Sequence, residues 1–247
     1  MKLRINPILF ALIAPCITLW AVHANAEEKS ARDQVLAPGY GALQYTAPEP
    51  GTYRLPPFGE AADGMVIDSD GKATTLFELM GDKIVLLSFI YSTCSDINGC
   101  PLATSVFHKI KRRLKKEPEL AKKIRLLTLS FDPEHDTPER MKKYGKGLRG
   151  EGVEWEFLTT ASEKELRPIL DHYQQNIQKD YDADGNFLGT FSHILRVYLI
   201  DRDKKLRNIY SVSFLHPDTL INDIKTLLMA PSPALQQAGN PKAADSN

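Results

Sequence analysis

The sequence predicts an α/β sandwich, a central β-sheet flanked by helices. Three observations predict it. Lys83 to Tyr91 and Ile124 to Phe131 are nearly continuous apolar runs, the pattern of strands buried on both faces. Between them Leu102, Val106, Ile110 and Leu114 recur every four residues, as on one face of a helix. Past residue 190 the pattern changes to a hairpin followed by an amphipathic helix, so parallel and antiparallel pairing share one sheet. A central sheet with a hairpin near its end suggests a thioredoxin-like fold.

In chain order, Lys2 and Arg4 precede an apolar stretch from Ile8 to Val22, and Ala24-Asn25-Ala26 matches a small-residue cleavage site. This is the pattern of a secretory signal peptide over 1–26. The stretch, with Pro15 inside it, is shorter than the ~20 residues of a spanning helix. Cleavage removes Cys16 and leaves Cys94 and Cys100 in an exported, oxidising setting, the periplasm. Residues 27–57 are rich in Pro, Gly, Ala and Tyr and read as an extended leader or linker packing on the domain surface. One domain follows over 58–230. The stretch 231–247, with its prolines and polar residues, reads as a disordered tail.

Within the domain, the first strand is Lys83–Tyr91 and the first helix Pro101–Lys116. The strand Ile124–Phe131 leads to Thr137-Pro138-Glu139, with Thr as N-cap and Pro at the first helical position. Trp155–Leu158 is a short strand. Ser162 and Glu165 form a capping box for a third helix, which Pro168 is expected to kink or shorten. Ile194–Ile200 and Leu206–Phe214 form a hairpin about Asp201-Arg-Asp-Lys204, and Pro217 opens the last helix. With 247 residues, 43% of them hydrophobic and 25% charged, the composition is that of a soluble globular chain, and excludes collagen-like and polytopic membrane classes. Its 31 basic residues balance 31 acidic ones, which argues against a dedicated nucleic-acid binder.

The residues that point to chemistry begin with Cys94 and Cys100. A buried strand ends, a polar loop carries Cys94, and Cys100-Pro101 opens a helix. A thiol at a helix N-terminus meets free N–H groups and the positive end of the dipole, so Cys100 is expected to have the lower pKa of the pair. Two thiols at such a junction can form a structural disulfide, exchange electrons, or hold a soft metal. A loop this short contributes roughly 2–3 kcal/mol as a disulfide.

Among the histidines, His108, His135 and His172 read as surface residues and His216 as a turn residue. His193 stands at the start of an apolar strand, where it is either a hydrogen-bonded strand-edge residue or a group reaching toward the two cysteines. Two thiolates and one imidazole suit copper, sulfur favouring Cu(I) and imidazole accepting Cu(II). Asp180-x-Asp182-x-Asp184-Gly185 imitates an EF-hand start, but the twelfth position is Phe191 where calcium needs a carboxylate. The basic run from Lys109 to Lys116 reads as the solvated face and C-terminal end of a helix, with docking of an acidic partner as the alternative. The acidic stretch Asp132 to Asp136 is either a turn or part of the site.

These residues resemble the Sco/SenC family of copper-binding, thioredoxin-like proteins, over roughly Leu55 to Met229. The resemblance rests on the strand Val85–Tyr91 leading into the cysteine pair, on Cys100-Pro101-Leu102, on Leu129-Ser-Phe-Asp-Pro-Glu-His-Asp-Thr-Pro138, and on His193 before Val197-Tyr-Leu-Ile200. It implies a copper site of Cys94, Cys100 and His193. It also implies delivery of copper, or of electrons, to a client such as a cytochrome oxidase subunit during assembly. Membrane contact would come only through an uncleaved signal or a membrane-bound client. Two departures mark a divergent member. Five residues separate the cysteines where the family usually has three, and Ser192 stands where many members have an acidic residue before the histidine. The competing reading is a thiol–disulfide oxidoreductase using the Cys94/Cys100 pair.

Overall fold

The computed structural model describes residues 35–229. The signal peptide expected over 1–26 and the tail over 231–247 lie outside the described residues. Among the described residues, ten strands and six helices follow a 3-10 turn at Pro38–Tyr40. They are β1 (Gly59–Glu60), β2 (Met65–Asp68), β3 (Ala73–Thr75), α1 (Leu76–Met80), β4 (Ile84–Ile90), α2 (Cys100–Leu114), α3 (Pro118–Ala121), β5 (Ile124–Ser130), α4 (Pro138–Tyr144), β6 (Glu154–Thr159), α5 (Glu163–His172), β7 (Ile177–Tyr181), β8 (Phe187–His193), β9 (Val197–Ile200), β10 (Lys205–Tyr210) and α6 (Pro217–Met229).

Eight strands form one sheet in the order β1-β10-β9-β4-β5-β6-β2-β3. β4, β5 and β6 run parallel, while β9 joins β4 antiparallel, so the predicted mixed sheet flanked by helices is what the chain builds. All seven residues of β4 are buried, because the strand is central and covered on both faces. Full burial of each such aliphatic side chain is worth about 1.5–3 kcal/mol, which makes this strand the structural base of everything attached to its ends.

Helix starts follow local chemistry. Thr137 accepts the N–H of Arg140 and Pro138 takes the first helical position of α4. Ser162 caps α5 by accepting the N–H of Glu165. α5 continues to His172 despite Pro168, because Leu166, Ile169 and Leu170 are buried and tertiary packing outweighs the lost hydrogen bond. Among the described residues no helix is long and apolar enough to cross a membrane.

The stretch from Ala37 to Pro57 lies on the surface of α2 and α6. A Cβ on Gly39 would sit 2.3 Å from the Leu215 carbonyl oxygen and 2.9 Å from Val106, so the close approach needs glycine. Lys109 Nζ donates to the carbonyls of Gly39 and Tyr40 at 2.8 and 2.7 Å. Tyr53 donates to the buried carboxylate of Asp223 at 2.5 Å.

The histidine-bearing segment differs from the expected one. His193 does not open the strand of Val197–Ile200; it ends β8, which pairs with β7 in a separate two-stranded sheet. The expectation followed the apolar run from Ile194, but Ile194 is exposed and the chain needs residues 194–196 to pass from one sheet to the other. The β7–β8 turn contains the EF-hand-like stretch. Asp182 accepts the N–H groups of Asp184 and Asn186 and the Asn186 amide, an arrangement that closes a turn.

Candidate functional site

β4 delivers the chain to the site. Past Ile90 the backbone turns, and the Cys94 N–H donates to the Tyr91 carbonyl at 3.2 Å. Cys94 is half-buried in this loop and Cys100, the first residue of α2, is buried; the two are free thiols. The five-residue spacer is tied down at several points. Gly99 N–H donates to the Asp96 carbonyl, and Asn98 N–H to the Asp96 carboxylate. From the N-terminal stretch, Tyr40 donates to the Ile97 carbonyl at 2.5 Å and Ala37 N–H to the Asn98 side chain at 2.8 Å.

The charge distribution reverses the sequence expectation for the two thiols. The Cys100 thiol donates to Cys94, and the N–H groups of Cys100 and Asp96 and the Tyr91 hydroxyl also point at the Cys94 sulfur. These donors, the Cys100 thiol foremost, bring the Cys94 pKa down to about 5. Donating that hydrogen bond, then burial, then the Cys94 charge push Cys100 well above the ordinary thiol range. The Cys100 N–H at the helix start serves both sulfurs, so the helix N-terminus favours a thiolate at either, and the thiol–thiol hydrogen bond and the deeper burial of Cys100 decide for Cys94.

His193 arrives from the other sheet. Its Nε2 lies 3.8 Å from the Cys100 sulfur. Its Nδ1–H donates to the Phe191 carbonyl at 3.3 Å, which turns the Nε2 lone pair toward the thiols. The ring is held edge-on between Phe131, at a centroid distance of 4.9 Å, and Tyr91, at 5.8 Å. Phe191 packs on both of these aromatics at 5.4 and 5.0 Å. Ser192, the residue before the histidine, donates to Asp180 across the hairpin at 2.7 Å.

Cys94, Cys100 and His193 are therefore neighbours, although among the described residues no three His, Cys, Asp or Glu side chains are already gathered as closely as a bound metal requires. Two sulfurs and an imidazole are donor types that soft metal ions favour.

A buried carboxylate supports the loop. Asp136 accepts the Ser92 N–H at 2.8 Å, the Ser92 hydroxyl, and the Ser130 hydroxyl at 2.5 Å, with Arg140 Nε at 3.6 Å. Of the acidic stretch read from the sequence, Asp136 is the member that holds the site loop, while the Asp132 carbonyl closes a turn. Tyr91, Phe131 and Phe191 carry no site signal in the sequence. Each sits in an apolar run or a turn that fold alone explains.

The remaining histidines lie elsewhere. His135 and His172 are exposed, as expected. His216 is buried and its ring contacts the Gly41 carbonyl at 3.3 Å, a packing role the turn reading missed. His108 is half-buried, not a surface residue, and lines a cavity with Cys94 and Cys100. The basic run also departs from a uniformly solvated face: Lys111 is buried and donates to the carbonyls of Gly150 and Val153 at 2.8 and 2.9 Å.

Comparison with known proteins gives a consistent result. The SCO1/SenC family model matches residues 62–229. A SCO1 protein homolog of Bacillus subtilis is 28% identical over 160 residues, 64% of this chain and 78% of that protein. The structure of Bradyrhizobium japonicum ScoI with copper bound superposes with a TM-score of 0.56 at 26% identity, covering 68% of this chain and 99% of that one. BsSco, described with a disulfide switch and as a member of the Sco family of cytochrome c oxidase assembly proteins, superposes at 0.55 with 27% identity, over 71% of this chain and 98% of that one.

Proposed function

This chain belongs to the SCO1/SenC family, and we propose that it is an exported, periplasmic copper metallochaperone. Copper is its cargo, held by Cys94, Cys100 and His193 and passed by ligand exchange to a client, such as a cytochrome oxidase subunit under assembly. The single observation that carries the reading is the approach of His193 Nε2 to the Cys100 sulfur at 3.8 Å, beside a second sulfur already hydrogen-bonded to it. Disulfide exchange has no need of an imidazole there, whereas two sulfurs and one nitrogen are a donor set for both copper oxidation states. Cys94 is ready to ligate as a thiolate, and Cys100 releases its proton on binding. Copper bound to the related Bradyrhizobium japonicum protein supports the same reading.

The test is metal content after reduced protein is loaded with Cu(I). About one copper per chain is expected in the parent, and loss of that copper in Cys94→Ser and Cys100→Ser. Full occupancy in either variant contradicts the assignment.

A second reading is favoured by the Cys94 thiolate itself, a thiol–disulfide oxidoreductase. The thiolate attacks a client disulfide, forming a Cys94–client bond and expelling one client thiolate. Cys100 then attacks the Cys94 sulfur, releasing the second client thiolate and leaving a Cys94–Cys100 disulfide, so the client gains the two electrons the pair loses.

A further inference from the structure

Two cavities run end to end beside α2. The first, about 440 Å³, opens on Cys94 and Cys100 and is walled by Pro101, Tyr144 and Leu148. The second, about 270 Å³, shares His108 and Leu148 with the first and is edged by Arg112 and Lys115. Cys100, Thr104, His108 and Arg112 follow one another at four-residue steps, so they lie along one stripe of the helix. The result is a trough with soft sulfur at one end, an apolar middle and cations at the other.

The polar groups along it are unevenly satisfied. Thr104 and Tyr144 are hydrogen-bonded to each other at 2.7 Å and act as wall. His108 lines both cavities, and its Nδ1 is buried without a hydrogen-bond partner. Arg112 is exposed and has no ion-pair partner among the described residues. Lys115 reaches Glu151 at 3.6 Å, a carboxylate 92% exposed and so a weak competitor. A small anion would fill only the cationic end, and a small apolar molecule would leave the cations uncovered.

We infer that this trough docks an extended, acidic-flanked segment of the partner protein. The partner's sulfur ligand sits at Cys94 and its apolar side chains lie on Tyr144 and Leu148. Acidic side chains reach Arg112 and Lys115. Twelve helical residues at about 1.5 Å each place Arg112 about 18 Å beyond Cys100. That distance is five to six residues of extended chain at about 3.3 Å. The inference rests on the proposed exchange function for what the partner's sulfur does.

The test uses the copper-free chain without residues 1–26, and so without Cys16, carrying Cys100→Ser, so that Cys94 is the one thiol and an adduct there persists. Two short peptides each carry a cysteine activated as its 2-thiopyridyl disulfide. Five and six residues further on, one has two glutamates and the other two lysines; both chain polarities are made and the faster is read. The Cys94 thiolate attacks the peptide sulfur, a Cys94–peptide disulfide forms, and pyridine-2-thiolate leaves and is measured. At low salt the glutamate peptide is expected to react at least about tenfold faster, with the preference fading as salt rises. Arg112→Glu/Lys115→Glu should invert the preference and Arg112→Gln/Lys115→Gln should abolish it. Lys72→Glu/Lys122→Glu, the same charge change at exposed sites outside the trough, should preserve it. Equal rates for the two peptides, or equal effects of the trough and control substitutions, overturn the inference. Because no copper is present, this result is independent of whether the chain binds copper.

Discussion

The Cys94–Cys100 junction and the β7–β8 hairpin supply the same site from opposite kinds of structure. The junction hangs from β4, whose seven residues are all buried, and from the first turn of α2, where Cys100 and Leu102 are buried. The hairpin is largely exposed: Phe191 is the one buried residue of β8, and β7 has none. A lone two-stranded hairpin is marginally stable, so this one depends on the contacts of Phe191 with Tyr91 and Phe131. The thiols thus take their geometry and charge from the interior, while the imidazole is placed by an aromatic clasp at the margin.

That contrast can be broken at the sulfurs first. Cys100→Ala removes the main donor to the Cys94 thiolate, so the Cys94 pKa should rise from about 5 toward the ordinary ~8.5. Alkylation rate against pH reads this directly; a midpoint that stays near 5 would mean that the helix N–H groups alone suffice. The next effect compares the two regions. Leu87→Ala in β4 should cost about 2–5 kcal/mol of global stability and lower amide-exchange protection throughout the sheet. Phe191→Ala should lower protection in β7 and β8 while leaving β4 protected. Joint loss across both sheets in Phe191→Ala would show that the hairpin is no separate unit. The smallest effect is at Tyr91. Its hydroxyl donates to the Cys94 thiolate, so Tyr91→Phe should raise that pKa by about one unit, seen as a shifted alkylation profile.

The same contrast explains what could be read in advance. β4, β5, α2 and α6 were legible because full burial or a four-residue apolar period leaves a strong mark on composition. The cysteine pair stands out by residue type, whereas residue type alone leaves His193 between a strand-edge residue and a group reaching toward the cysteines. The hairpin was not legible, because exposed polar residues such as Gln178 and Thr190 carry no alternation, and the apolar run from Ile194 pointed to the wrong partner sheet. α1 was missed although Thr75 and Glu78 form a complete capping box, a signal hidden by the helix's five-residue length. Which thiol is acidic depends on where the Cys100 S–H, the N–H groups of Cys100 and Asp96 and the Tyr91 hydroxyl point, and that is set by the loop conformation and not by residue order. The buried ammonium of Lys111 was likewise hidden, since a lysine among lysines gives no sign that carbonyls await it.

The central claim is that His193 belongs with Cys94 and Cys100 as a copper ligand, and one variant tests it most directly. His193→Ala, titrated with Cu(II) and assayed for dithiol reactivity in the same preparation, separates the metal role from the sulfur chemistry. Loss of even an outer-shell partner costs about 10–100-fold in metal affinity, so losing a ligand should weaken Cu(II) binding by at least that much. The variant should still form its Cys94–Cys100 disulfide and keep most of its thiol reactivity. Unchanged Cu(II) affinity together with lost disulfide-reductase activity would contradict the account and make thiol–disulfide exchange the function of this site.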